Sequence, residues 1–84
     1  MKAGDVAARA VEELHGLSGR VAEGVTGIER TDDGWRVRVE VVELERIPQS
    51  TDLLAEYAVD LDEDAGLTGY RRVRRYTRGA SRED

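Results

Sequence analysis

The chain has no cysteine and no phenylalanine, and only one histidine, one methionine and one proline. Without cysteine there is neither a disulfide nor thiolate chemistry, which suits a cytoplasmic protein. His15 stands alone, without the partners that a zinc site or a histidine-dependent nucleophile requires. No apolar run approaches the roughly 18 residues of a membrane span, and no signal-peptide core is present. The three serines, Ser18, Ser50 and Ser81, fall in a helix end, a loop and a tail. The glycines fit no phosphate-binding loop. The expectation is a non-enzymatic intracellular protein with no cofactor, no metal site and no membrane partner.

What is present is a charged chain with valine-rich segments. Its 84 residues are expected to form one domain. A domain of this size buries only about 60–65% of its unfolded surface, so its stability is modest. Charged residues make up 37% of the chain, almost matching the 39% that are hydrophobic. Trp35, Tyr57, Tyr70 and Tyr76 together with the valines still argue against disorder. The net charge of −5 is unevenly spread. The acids Glu40, Glu43, Glu45, Asp52, Glu56, Asp60, Asp62, Glu63 and Asp64 meet a single base, Arg46, whereas Arg71 to Arg82 holds arginines and no acid.

The spacing of Val6, Ala10, Val11, Leu14 and Leu17 predicts a helix over about 5–18, with Asp5 as N-cap and Gly19 as left-handed terminator. A weaker strand follows over about 20–30, with Val21, Val25 and Ile28 as apolar points. Gly24 and Gly27 inside it suggest a bulge and an edge position. Thr31-Asp32-Asp33-Gly34 reads as a hairpin turn in which Gly34 takes positive φ cheaply. The central strand, about 35–47, alternates Trp35, Val37, Val39 and Val41 with Arg36, Arg38 and Glu40. Its phase slips at Val42 and Leu44, which implies either a bulge or an apolar patch offered to a partner. Pro48 stops it. A third strand, about 53–62, points Leu53, Ala55, Tyr57, Val59 and Leu61 inward, although its first half also suits a helical turn. The loop around Asp62 to Gly66 leads to a basic fourth strand, about 67–77, and a polar tail, 79–84. The predicted fold is α+β, one N-terminal helix packed on a curved four-stranded antiparallel meander, cystatin-like or PepSY-like in outline.

Two stretches invite chemistry. Asp60-Leu61-Asp62-Glu63-Asp64 has the alternating acids of a calcium loop, but Ala65 stands where glycine is needed and Arg71 where the bidentate glutamate belongs. It reads as a solvated hairpin tip. Tyr70, Arg72, Arg74 and Tyr76 share a phase, as an aromatic and basic platform for single-stranded nucleic acid would require. The acidic whole disfavours that partner. The same arginines also suit edge protection, cross-strand pairing with the acidic neighbour, or a protein partner.

Trp35-Arg36-Val37-Arg38-Val39-Glu40-Val41-Val42-Glu43, then Arg46-Ile47-Pro48, then Asp52-Leu53-Leu54-Ala55-Glu56-Tyr57-Ala58-Val59-Asp60-Leu61-Asp62 resemble the gas vesicle protein O family. Gly66-Leu67, Tyr70 and Arg74-Arg75-Tyr76 continue the likeness, which covers about Val6 to Arg78. The family commonly has Glu where this chain has Ala58, a change that an outward position tolerates. Members often carry a longer polar N-terminal segment, which here is short or trimmed. The resemblance implies a non-catalytic accessory protein of gas vesicle formation, cytoplasmic and associated with gas vesicles. Its implied partners are other gas vesicle proteins, the shell subunit among them, and a homodimer is compatible with it. Val42, Leu44, Arg46, Tyr70, Arg72, Arg74 and Tyr76 are the candidate partner-binding residues.

Overall fold

The computed structural model describes residues 2–79, so most of the expected tail lies outside the described residues. The elements are α1 (Ala3–Ser18), β1 (Ala22–Arg30), β2 (Gly34–Leu44), a short 3-10 turn (Gln49–Thr51), β3 (Leu53–Asp62) and β4 (Leu67–Thr77). The strands pair antiparallel in the order β1-β2-β3-β4, so β1 and β4 are the sheet edges. This is the helix-plus-meander of an α+β protein.

The helix starts earlier than its sequence signal suggests. Lys2 is the N-cap, and Asp5 lies one turn in, where its carboxylate accepts a hydrogen bond from the Lys2 backbone N–H at 3.4 Å. A carboxylate there also faces the positive end of the helix dipole. Gly19 closes the helix with φ 74° and donates its N–H to the His15 carbonyl, the left-handed cap that glycine adopts without steric cost.

Val6, Ala10 and Leu14 form the buried stripe of α1. They pack on Val37, Val39 and Val41 of β2 and on Ala55, Val59 and Leu61 of β3, with Trp35 partly buried at the margin. The alternating half of β2 therefore carries the core.

Gly34 is required for a reason other than turn geometry. Its φ is not positive; instead a Cβ there would collide with the Leu61 carbonyl and the Asp62 backbone of β3. Positive φ falls on Ala65, at 64°, whose methyl is fully buried in the core. The β3–β4 connection is thus more than a solvated tip. Asp62 organises it, its Oδ1 accepting from the Asp64 and Gly66 N–H groups at 2.9 and 2.8 Å.

Four single-residue bulges, at Glu23, Thr26, Glu43 and Val73, fall where the ladders lose register, and a further one lies at Thr68. Each shifts the phase of its strand and adds twist. β2 ends at Leu44, before the proline, where its partner β3 begins: Leu44 pairs with Leu53, the first residue of β3, just past the bulge at Glu43.

Candidate interaction surface

The bulge at Val73 decides where the basic strand points. On its N-terminal side Tyr70 pairs with Val59 and Arg72 with Tyr57, which share a face with the residues under the helix. On its C-terminal side Arg74 pairs with Glu56 and Tyr76 with Leu54, on the opposite, open face. Tyr70, Arg72, Arg74 and Tyr76 therefore do not form one platform. An unbroken period of two would have aligned them, and one extra residue divides them.

On the helix side a carboxylate, Glu43, is the hub. Its side chain is only 5% exposed, and it is gripped by Arg75 Nε at 2.9 Å and Arg72 Nη1 at 3.4 Å. The Tyr57 hydroxyl donates to it at 3.3 Å, and Arg20 Nη1 donates to the Glu43 carbonyl at 3.4 Å. Burial pushes the Glu43 carboxyl up, but the bonds from Arg75 and Arg72 and the charge of Arg20 outweigh it and leave it below the ordinary glutamate range. The Tyr57 and Tyr70 rings lie against each other at 6.1 Å between centroids. Leu44, next to Glu43 and paired with Leu53, is half exposed.

The open face keeps its central row buried without a covering element. Leu54, Glu56 and Ala58 are all buried there, beneath long side chains from the neighbouring strands. Ala58 faces away from the helix as expected, yet it is not a solvent position, because it lies between Arg38 of β2 and Arg71 of β4. Glu56 accepts from Arg74 Nε at 2.8 Å and from the Thr26 hydroxyl at 2.7 Å, which ties β4 and β1 to β3. Burial raises its pKa, but the bonds from Thr26 and Arg74 prevail and the net shift is downward. Asp60 pairs with Arg36 at 2.7 Å and with Arg71 at 3.7 Å. Tyr76 donates its hydroxyl to Glu40. Burial and that carboxylate push the Tyr76 phenol up to about 12. Val42 is on this face too, paired with Leu54.

Arg46 belongs to neither set. Its backbone N–H donates to Asp52 Oδ1 at 2.8 Å, and Arg78 Nη2 bonds the other oxygen at 2.8 Å. These two bonds hold the Asp52 carboxyl below the usual range. With Gly79 N–H on the Ser50 carbonyl, they tie the β2–β3 loop to the end of β4. The braced loop leaves Ile47 99% exposed.

Of the candidate residues, Arg72 bonds Glu43, Leu44 follows it in the chain and Tyr70 lies against Tyr57 on the same face, while Val42, Arg74 and Tyr76 are on the other face and Arg46 is in the loop. Glu43 and Asp52 escaped the sequence reading. For Glu43 a signal existed: it continues the odd-numbered phase of Trp35 to Val41, so a carboxylate on the dry face demanded a partner. Asp52 offered none beyond its loop position.

Arginine–carboxylate grips of this kind organise a surface but assemble no nucleophile with a base. Among the described residues no group of acids and histidine is placed to hold a metal ion. Residues 1–82 match the family model described as gas vesicle synthesis protein GvpO. The chain belongs to the GvpO family. Curated relatives agree: gas vesicle protein O of Streptomyces sp. (strain CB03234) is 54% identical over 86% of this chain and 56% of its own length. Gas vesicle protein O1 of Halobacterium salinarum is 38% identical over 90% of the chain and 64% of its own length. Gas vesicle protein O of Haloferax mediterranei is 37% identical over 95% of the chain and 58% of its own length. The chain thus spans under two thirds of the length of these relatives. No solved structure matches it. No helix among the described residues of this GvpO-family chain is long and apolar enough to cross a membrane.

Proposed function

We propose that this chain serves gas vesicle formation as a non-catalytic cytoplasmic accessory protein that works through contacts with other gas vesicle proteins, the shell subunit among them. The observation that carries this is the match to the gas vesicle synthesis family across residues 1–82. The geometry supports contact over catalysis. Glu43, Glu56, Asp52 and Asp60 are each occupied by arginines, and Glu43, Glu56 and Asp52, held below the ordinary carboxylate range, are poor proton acceptors. What the fold offers outward is the Glu43 cluster, with half-exposed Leu44, Tyr70, Arg72 and Arg75, and the open-face pair Arg74 and Tyr76. Tyrosine and arginine held in place by neighbours make effective contact residues, because little freedom is lost on docking.

The test is rescue of a host lacking the gene. The wild-type chain restores vesicles seen by microscopy and recovers other vesicle proteins by pull-down. A variant with Arg72→Glu and Arg74→Glu, its fold verified by circular dichroism, loses both. Unchanged pull-down with an intact fold refutes this surface, and normal vesicles without the gene refute the function.

A further inference from the structure

The edge strand β4 is unusual in carrying arginines on both of its faces. Because Val73 interrupts the phase, Arg72 and Arg75 stand on the helix side with Glu43, and Arg71 and Arg74 on the open side with Asp60 and Glu56. All four side chains are about half exposed, while Glu43 and Glu56 beneath them are buried. The carboxylates hold these arginines by ion pairs, and the half-exposed side chains still present their positive charge outward. As an edge strand of the meander, β4 also keeps one side of its backbone unpaired with any strand of the sheet.

We propose that β4 receives an extended acidic segment of another protein as a fifth strand, one whose acids stand on both faces of the added strand. Main-chain hydrogen bonds would supply the common part of the affinity, and the arginine rows would select the partner. Arginines on an edge normally repel unwanted strands; opposite an acidic strand the same charges become the selecting element. They also disfavour a second copy pairing β4 with β4, which would set arginine against arginine. Nucleic acid fits less well, because Tyr70 and Tyr76 lie on opposite faces, Tyr76 bonds Glu40, and the chain carries net charge −5.

This inference rests on the reading that the chain works through protein contacts, and it names the kind of partner. The probe is a fluorescein-labelled peptide of repeated Glu-Glu-Val units, titrated at low salt and followed by anisotropy. We expect saturable binding, at least roughly tenfold weaker when four charges are lost in the Arg71→Gln, Arg72→Gln, Arg74→Gln, Arg75→Gln variant. A Glu-Val repeat, with acids on one face only, binds more weakly, and a backbone N-methylated Glu-Glu-Val peptide does not bind. The peptide comparisons use the unaltered protein, so they decide the matter even if the variant fails to fold. No binding, equal binding of the N-methylated peptide, or tighter binding of an oligothymidine overturns the proposal. If the peptides fail while the Arg72→Glu, Arg74→Glu variant still loses vesicles in the host, strand addition falls and the contact reading stands. If the peptides bind and vesicles form without the gene, the contact reading falls instead.

Discussion

At the residue scale, one glycine and one tyrosine show how side-chain size and burial set local constraints. Gly34 opens β2 where its backbone passes so close to Leu61 and Asp62 of β3 that no Cβ fits. The obstacle is backbone on a central pair of strands, so it cannot swing aside as a flexible side chain would. Gly34→Ala is expected to cost about 2–3 kcal/mol by forcing β2 and β3 apart, read as a lowered midpoint in urea with an unchanged slope. A loss within a few tenths of a kcal/mol would mean that the hairpin opens freely there. The sequence made this glycine conspicuous, but for turn geometry; close approach of a partner strand is a tertiary fact that no local pattern carries. The same limit hid Ala65, which holds a left-handed φ with its methyl buried in the core.

At the scale of elements, the helix and the dry half of β2 were legible because their periods, 3.6 and 2, follow directly from helix and strand geometry. The faces of β4 were not. Glycines in β1 and the phase slip in β2 marked their bulges, but the one in β4 has no such marker, and Val73 looks like any other strand valine. Opposite charges on β3 and β4 did foretell their pairing, and Arg74–Glu56 and Arg71–Asp60 are such pairs. Glu56 matters most among them, since it joins β1, β3 and β4 through Thr26 and Arg74. Glu56→Gln keeps the shape but removes the charge. Because Arg74 is half exposed, solvent screening reduces the loss, and about 1–2 kcal/mol is expected. Hydrogen exchange is the sharper readout: amides of β4 should exchange faster relative to those of β2, which is held by β1 and β3 on either side. Uniform acceleration across the whole sheet would argue against a local grip on β4.

For the whole molecule, the helix–sheet core is small, and a share of its cohesion falls to carboxylates that work only when ionised. Glu43, Glu56 and Asp52 all have pKa values lowered by folding. A carboxyl whose folded value lies below its unfolded value contributes stability above the unfolded pKa and loses it as pH falls through the folded one. Unfolded glutamate and aspartate titrate at about 4.3 and 3.9. The melting temperature should therefore stay nearly level from neutrality to about pH 5 and drop steeply below it. Glu43 and Glu56 account for much of that drop, because their arginine partners remain charged throughout and are left facing buried neutral acids. A double variant, Glu43→Gln with Glu56→Gln, begins less stable at neutral pH but loses less on acidification, so the two melting curves converge toward low pH. Parallel curves would mean that the acid sensitivity resides in other carboxylates, and that β4 is held chiefly by its backbone ladder.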